Sequence, residues 1–228
     1  MRPSALVLLS GGLDSLASLH WASQNADLAL GLTINYGHKA FAKECEAAQN
    51  ICKKYDISHQ VMDLTWLGGF GHNALVDPKV LLPKLHRADL DDEKLVQESA
   101  QIVWVPNRNG LFINAAASLA ENEMISWIVM GFNKEEAKTF PDNSSGFVDA
   151  VNKSLSFSTQ KKVSVVAPHV EKNKKEIVSW LLKAGGDLTH LWSCYEGSKK
   201  MCGECESCQR LMRALDEAGA HEWKSQFF

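Results

Sequence analysis

A loop of serine and glycine, SGGLDS at residues 10–15, has the composition of a phosphate-binding site. It follows the apolar run 5–9 and precedes a segment with helical apolar spacing. Glycine lets the backbone approach an anion closely, while Ser10, Ser15 and the N–H groups at the start of the helix supply donors. The loop lacks the lysine of the Walker-type motif. We predict that it binds phosphate, with Asp14 holding Mg²⁺ against it, the alternative being a turn that only caps a helix.

Four cysteines form a second candidate site. Cys194, Cys202, Cys205 and Cys208 fall within fifteen positions, whereas Cys45 and Cys52 stand apart. Four thiolates suit a closed, structural zinc site. Residues three apart on a helix advance by 300°, so one continuous helix cannot aim Cys202, Cys205 and Cys208 at one metal. The spacing therefore predicts a knuckle at residues 202–203 that leads into a helix from about 205, and an iron–sulfur cluster remains the alternative.

Composition narrows the classes of function. The 228 residues include 24 Lys+Arg and 27 Asp+Glu, for a formal net charge of −3. This balance argues against a nucleic-acid coat and against a membrane-surface binder. No stretch approaches the roughly 20 apolar residues of a membrane span, and the first apolar run is too short for a secretory signal. We expect a cytoplasmic globular protein.

The elements that would carry these sites alternate along the chain. Apolar runs at 5–9, 28–34, 59–64, 125–131 and 163–167 predict strands, and helical spacing is found at 15–25, 40–55, 111–121, 147–155, from 173 to about 184, and up to about 218. This alternation predicts an α/β fold with a doubly wound parallel sheet. Asn173, followed three residues later by Glu176, predicts a capping box.

Two segments depart from the alternation. Residues 65–100 are irregular and rich in glycine, proline and acidic residues, and we predict that they form a flap beside the site, the alternative being a plain surface excursion. Residues 191–228 contain the cysteine cluster and a final helix. We therefore predict an α/β nucleotide-binding domain at 1–190, with a small zinc-binding helical segment at 191–228 packed on it.

The loop resembles the pyrophosphate-binding loop of the ATP-pyrophosphatase family, which splits ATP between its α and β phosphates. Together the motifs resemble the 7-cyano-7-deazaguanine synthase family, over nearly the whole chain. Besides SGGLDS, the resemblance rests on NYG at 35–37, VPNRN at 105–109, GFN at 131–133, AP at 167–168, KxEI at 174–177, WSCYEG at 192–197 and CGECESC at 202–208.

The resemblance implies an ATP-dependent carbon–nitrogen ligase. In such an enzyme ATP activates 7-carboxy-7-deazaguanine, most simply as an acyl-adenylate, ammonia gives the amide, and a second activation followed by elimination leaves the nitrile. The implied cofactors are ATP, Mg²⁺ and one structural Zn²⁺. The implied residues fall into four groups: catalytic Asp14, Arg108 and Lys174; ATP-binding Leu9, Ser10, Gly11, Gly12, Leu13, Asp14, Ser15, Asn35 and Tyr36; substrate-binding Asn109, Asn133, Phe140, Asp142, Ser193 and Tyr195; and metal-binding Cys194, Cys202, Cys205 and Cys208.

Two of these residues also have plainer interpretations. Arg108 suits a clamp for phosphate or carboxylate because its fork of donors matches such oxygens, and the alternative is a loop salt bridge. Lys174 could equally be a solvated residue at a helix N-terminus. Ammonium is the expected nitrogen donor, because no glutaminase nucleophile is apparent. A homodimer is compatible with the apolar side chains of Trp127, Trp180 and Trp192.

The chain departs from the family pattern in two places. Residues 135–142 read EEAKTFPD where the family commonly has DYSGYPD, and Asn107 replaces a glycine. The first change lies where a substrate base should be recognised. A second hypothesis is therefore a related adenylating enzyme that acts on another carboxylate, or a tRNA-thiolating enzyme. A non-catalytic nucleotide sensor is a third.

Overall fold

A five-stranded parallel β-sheet organises residues 2–228, the part of the chain that the computed structural model describes. The strands are β1 (Ser4–Leu8), β2 (Asp27–Asn35), β3 (Ser58–Asp63), β4 (Trp127–Val129) and β5 (Ser164–Val166). They lie in the order β3-β2-β1-β4-β5, and each neighbouring pair is parallel. The strand order reverses between β1 and β4, which is the switch point where such sheets bind ligands.

Helices connect the strands. They are α1 (Leu13–Asn25), α2 (Phe41–Lys54), α3 (Glu93–Ile102), α4 (Arg108–Asn122), α5 (Ser145–Ser158), α6 (Lys174–Lys183), α7 (Glu206–Ala218) and α8 (His221–Phe227). The capping box at the start of α6 is confirmed: the Asn173 side chain accepts from the Glu176 N–H at 2.9 Å, and the Glu176 carboxylate accepts from the Asn173 N–H at 2.8 Å.

The helices cover both faces of the sheet. Ala5 and Val7 of β1 pack into a buried cluster with residues of α1, α2, α6 and α7. Leu6 and Leu8 point the other way, into a cluster with residues of α4 and α5. Successive side chains of a strand face opposite sides, so β1 is buried on both. The predicted doubly wound α/β fold is confirmed.

The prediction of an irregular segment at 65–100 is wrong for its last part, which forms α3. The Asp92 side chain caps this helix by accepting from the N–H groups of Lys94 and Leu95. Short 3-10 helices at Thr65–Phe70 and Arg87–Asp91 precede it. The segment is attached to the C-terminal region, since the Leu85 N–H donates to the Glu204 carbonyl at 2.8 Å. Whether it moves as a flap stays a prediction.

The C-terminal residues share their core with the sheet. The buried cluster that contains Ala5 and Val7 also contains Cys194, Cys205 and Cys208, from beyond residue 190. The division between 1–190 and 191–228 stays a prediction. Within residues 2–228, none of the helices combines the length and the apolar character needed to cross a membrane.

Candidate active site at the switch point

The loop between β1 and α1 holds its own shape through hydroxyl groups. The Ser15 hydroxyl donates to the Gly12 carbonyl at 3.1 Å, and the Gly12 N–H donates to the Ser10 hydroxyl at 3.3 Å. Gly11 has φ +79°, and a Cβ there would lie 2.6 Å from Ala47, so the turn requires glycine. Helix α1 begins at Leu13, and its first N–H groups lie beside this loop. This arrangement suits an anion.

Lys174 lies next to this loop and joins two carboxylates. Its Nζ is 2.6 Å from Oδ2 of Asp14 and 2.7 Å from Oε1 of Glu136, although 160 residues separate Lys174 from Asp14. Lys174 is only 6% exposed. The alternative of a solvated surface lysine is therefore wrong for this residue. Oδ1 of Asp14 is buried and has no hydrogen-bond partner.

The three groups shift one another's titration. Burial raises the pKa of Asp14, the Lys174 ammonium lowers it and the Glu136 carboxylate raises it, which leaves it at about 6. For Lys174, burial lowers the pKa, but Asp14 and Glu136 outweigh it and hold the pKa above its ordinary value. Burial likewise raises the pKa of Glu136, but Lys174 and the arginines bring it below its usual range. Lys174 therefore stays charged, while Asp14 titrates just below neutrality.

Arg108 lies in the first turn of α4. Its Nη1 donates to the Tyr36 hydroxyl at 3.4 Å, and its guanidinium lies 5.7 Å from the centre of the Tyr36 ring. Burial raises the pKa of Asp142, and the nearby Arg108 lowers it, with a net rise. Asn107, just before the helix, has φ +55°, a conformation that glycine adopts freely and asparagine tolerates. The departure at position 107 thus keeps the turn that positions Arg108.

One cavity brings most of the predicted site residues together, at the carboxyl ends of β1, β2 and β4. Those that line it are Leu9, Ser10, Gly12, Leu13, Asp14, Ser15, Tyr36, Arg108, Asn109, Phe140, Asp142, Lys174, Ser193 and Tyr195.

Gly11, Asn35 and Asn133 do not line the cavity. Asn35 shapes the turn after β2, where its Oδ1 accepts from the Gly37 N–H at 3.0 Å. Asn133 is fully buried, and its Oδ1 accepts from the N–H groups of Glu135 and Glu136, both at 3.0 Å. Asn133 thus shapes the turn that brings Glu136 to Lys174. The structure gives it no direct contact with the cavity.

Several residues that the motif analysis did not select also line the cavity, among them His38, Trp104 and Glu136. His38 stacks on Tyr36 with ring centres 4.0 Å apart, and its Nε2 is 3.0 Å from Glu44. Trp104 and His38 are close in sequence to predicted motifs, and that proximity is the signal that could have indicated them. The position of Glu136 depends on Lys174, 38 residues away, so no local pattern marks it.

The four cysteines converge on one point. Their sulfur atoms all lie within 4.8 Å of one another, and those of Cys202 and Cys208 are 3.9 Å apart. A tetrahedron with zinc–sulfur distances of 2.3 Å has an edge of about 3.8 Å. Gly203, with φ +74°, makes the predicted knuckle, and Cys205 directly precedes α7. The predicted placement of the four residues is confirmed, and their donor set fits a tetrahedral, thiophilic metal.

Backbone N–H groups surround the cysteine sulfurs. Cys194 Sγ accepts from the N–H groups of Glu196 and Cys202, each at 3.3 Å. Cys202 Sγ accepts from those of Glu204 and Cys205, at 3.4 and 3.3 Å. Such donors stabilise negative charge on sulfur, as bound thiolates require. Cys45 and Cys52 lie on α2, outside this cluster.

The cysteine cluster adjoins the phosphate loop. The N–H of Trp192, two residues before Cys194, donates to the Gly11 carbonyl at 2.9 Å. Ser193 lines the cavity, so the residues that lead into the cluster form one wall of the candidate site. The segment that contains the cysteines thereby supports the loop directly.

Buried charges also connect α7 to the site. Arg210 donates from Nε and Nη2 to Oε1 of Glu206, at 2.9 and 2.8 Å, and from Nη1 to Glu135 at 3.2 Å. The other oxygen of Glu135 accepts from the Lys174 N–H at 2.9 Å. Oε2 of Glu206 accepts from the Ser99 hydroxyl at 2.8 Å. Residue 135, in the divergent segment, thus joins the start of α6 to α7.

Comparison with known proteins agrees with this geometry. The family described as "Queuosine biosynthesis protein QueC" matches residues 4–219. A 7-cyano-7-deazaguanine synthase of Carboxydothermus hydrogenoformans is 47% identical over 92% of this chain and 97% of its own length. One from Methanosarcina mazei is 42% identical over 94% of each chain. One solved structure is described as a predicted subunit of tRNA methyltransferase from Methanocaldococcus jannaschii. It is 16% identical over 95% of this chain and 88% of that one, with a TM-score of 0.45. That TM-score is too low to bear on function. The chain belongs to the family of the queuosine biosynthesis protein QueC.

Proposed function

We propose that this protein is a 7-cyano-7-deazaguanine synthase. It converts 7-carboxy-7-deazaguanine, ammonia and ATP to the nitrile through the amide. The reaction needs activation of a carboxylate oxygen, attack by ammonia, activation of the amide oxygen, and elimination. Each activation turns an oxygen into a leaving group, and each places negative charge on phosphate. Positioning and electrostatics supply most of the catalysis in such steps.

One observation carries the proposal: four separate motifs meet in one cavity at the switch point of the sheet. They are the loop at residues 10–15, Arg108 with Asn109, the segment that contains Phe140 and Asp142, and Lys174. Residues that bind phosphate, a carboxylate and a planar base are needed together for this reaction. The extent of the match to the relatives supports the same assignment over an enzyme that acts on tRNA.

The nucleotide phosphates bind at residues 10–15 and the N-terminus of α1. The N–H groups at the start of α1 donate to the anion, and the charge of Lys174, next to the loop, supports it from the side. Asp14 fits a divalent cation because its Oδ1 is buried without a partner and Mg²⁺ prefers oxygen ligands. Mg²⁺ supplies charge neutralisation at the phosphates when bound. Asp14 also keeps Lys174 oriented toward the loop.

Arg108 binds the carboxylate that is activated. Its guanidinium lines the cavity, held by the Tyr36 hydroxyl and ring. A planar guanidinium matches a carboxylate in two parallel hydrogen bonds. Asp142 accepts from the N–H edge of the deazaguanine, and the Asn109 side chain, which donates to the Asp142 carbonyl at 3.3 Å, orients this residue.

The cysteine cluster holds one structural zinc ion. Four sulfur donors leave no open position for a substrate, so its role is to stabilise the fold. Metal analysis tests this assignment against the iron–sulfur alternative: we expect one equivalent of zinc and a colourless protein. Iron with a brown colour would contradict it. The cytoplasmic location, free ammonium as nitrogen donor and a homodimer stay predictions from the sequence.

The activity itself is tested by incubating the protein with ATP, Mg²⁺, ammonium and 7-carboxy-7-deazaguanine and following the products by mass spectrometry. We expect the carboxylate to disappear as first the amide and then the nitrile accumulate. Asp14→Ala is expected to abolish AMP release while the protein remains folded. Binding of ATP by the wild type without turnover of this carboxylate would contradict the proposal, and unchanged AMP release in the variant would contradict the role of the loop.

A further inference from the structure

Two aromatic rings that face the same cavity lie parallel. The ring centres of Trp104 and Phe140 are 5.8 Å apart, and their planes differ by 7°. Both side chains are partly buried, and both line the cavity that contains the phosphate loop. The two rings stack on each other, and each keeps an outer face on which a planar heterocycle can stack and extend the pair.

The core does not account for Trp104. Val103 and Val105, on either side of it, are each 4% exposed and belong to a small buried cluster with Tyr36. Phe140 packs against that cluster, whereas Trp104 belongs to none of the hydrophobic clusters found in residues 2–228. The buried neighbours hold the backbone while the indole lines the cavity. A large aromatic side chain presented in this way is available to a ligand.

The chain segments that contain Trp104 and Phe140 also carry charged residues that line the cavity. Arg108 follows Trp104 by four residues, and Asp142 follows Phe140 by two. The cavity therefore combines a flat apolar surface, a cation and a carboxylate. A bicyclic heterocycle with a carboxylate on one side and N–H donors on the other matches all three. Adenine, by contrast, carries no carboxylate for Arg108.

We propose that Trp104, together with Phe140, forms the stacking surface for the deazaguanine ring and so sets the position of its carboxylate at Arg108. This assignment rests on the proposed function and extends it to a residue that the motifs do not indicate. Trp104 is thus a substrate-binding residue that discriminates in favour of planar bicyclic acids.

The test compares Trp104→Leu with Trp104→Phe in steady-state kinetics. Base–aromatic stacking corresponds to about a tenfold or larger change in affinity. We expect Trp104→Leu to raise the KM for 7-carboxy-7-deazaguanine about tenfold, because leucine fills space but has no ring face. Trp104→Phe should restore most of the affinity, and the KM for ATP should stay nearly unchanged in both. Phe157→Leu, which alters an exposed aromatic residue on α5, serves as the matched control and should change neither constant.

Equilibrium binding of the carboxylate to each variant, measured without ATP, gives a readout independent of turnover. Should Trp104→Leu fold poorly by thermal melting, Phe140→Leu provides the second variant, with the same expected rise in KM. A rise in the KM for ATP alone, or an unchanged affinity of folded Trp104→Leu for the carboxylate, would overturn the proposal. Failure of the wild type to convert the carboxylate would instead refute the proposed function, so the two failures are distinguishable.

Discussion

Among single residues, Lys174 joins the two carboxylates nearest the loop. It is the cation between Asp14 and Glu136, and all three side chains line the cavity. With every group ionised, the trio carries one net negative charge, which a divalent cation can offset. The raised pKa of Asp14 follows from its burial and from the second carboxylate.

The pH dependence of activity tests this trio. If ionised Asp14 is required, kcat/KM for ATP should fall as the pH drops through about 6, where Asp14 gains a proton. Glu136→Gln removes a negative charge that raises this pKa. The acidic limb of the profile should therefore move to lower pH in the variant. Glu204→Gln, at an exposed position, is the control and should leave the limb in place. A shift to higher pH in Glu136→Gln would contradict the account.

At the scale of secondary structure, α7 connects three parts of the molecule. Cys205 precedes it and Cys208 lies in its first turn, while Arg210 reaches Glu135 near the active site. Its Glu206 accepts from Ser99 of α3, and its Asp216 pairs with Arg87 at 2.7 Å. Residues 65–100 are therefore held against this helix through one buried and one exposed set of contacts.

These two sets should differ in strength. Glu206 is 3% exposed and makes the two shortest contacts of buried Arg210, so Glu206→Ala leaves this buried charge with only its 3.2 Å contact to Glu135. We expect a loss of about 3–5 kcal/mol in the free energy of unfolding. Arg87→Ala removes a half-exposed pair and should cost less than about 1 kcal/mol. Chemical denaturation measures both, and equal losses would refute this view of how the segment is attached.

The cysteine cluster is expected to stabilise the fold without taking part in the chemistry. Cys205→Ser should lower the zinc content, the soluble yield and the Tm more than it lowers the activity of each folded molecule. Cys45→Ser, outside the cluster, is the matched control and should retain zinc. The result that speaks against a purely structural metal is a zinc-free variant with an unchanged Tm and no activity.

For the whole molecule, local patterns were sufficient to predict the sheet, the turn between β1 and α1, and the convergence of four cysteines. Apolar runs mark buried parallel strands, and SGGLDS and CGECESC form turns whose geometry depends on residues close in sequence. Helix α3 was missed because its acidic, polar surroundings hide the short buried stripe at Val96, Ser99 and Ala100. Ser99 is buried because Glu206, 107 residues away, pairs with it. No local pattern contains that information.

The same limit applies to the divergent segment 135–142. From sequence, its two glutamates appear only as a departure from the family pattern. In the structure, Glu135 joins Lys174 to Arg210, and Glu136 pairs with the Lys174 ammonium. Both contacts are made by residues that are distant in sequence. The contacts of this segment therefore depend on the tertiary fold and cannot be predicted from its own residues.

In the proposed reaction, the cavity uses ATP to activate both oxygens of a deazaguanine carboxylate in turn. The most direct test supplies 7-carboxy-7-deazaguanine labelled with oxygen-18 in its carboxylate and measures the label in the released nucleotide by mass spectrometry. We expect nitrile to form and both labelled oxygens to be recovered in AMP, one from each activation. Nitrile formation with unlabelled AMP, or label released into water, would contradict it.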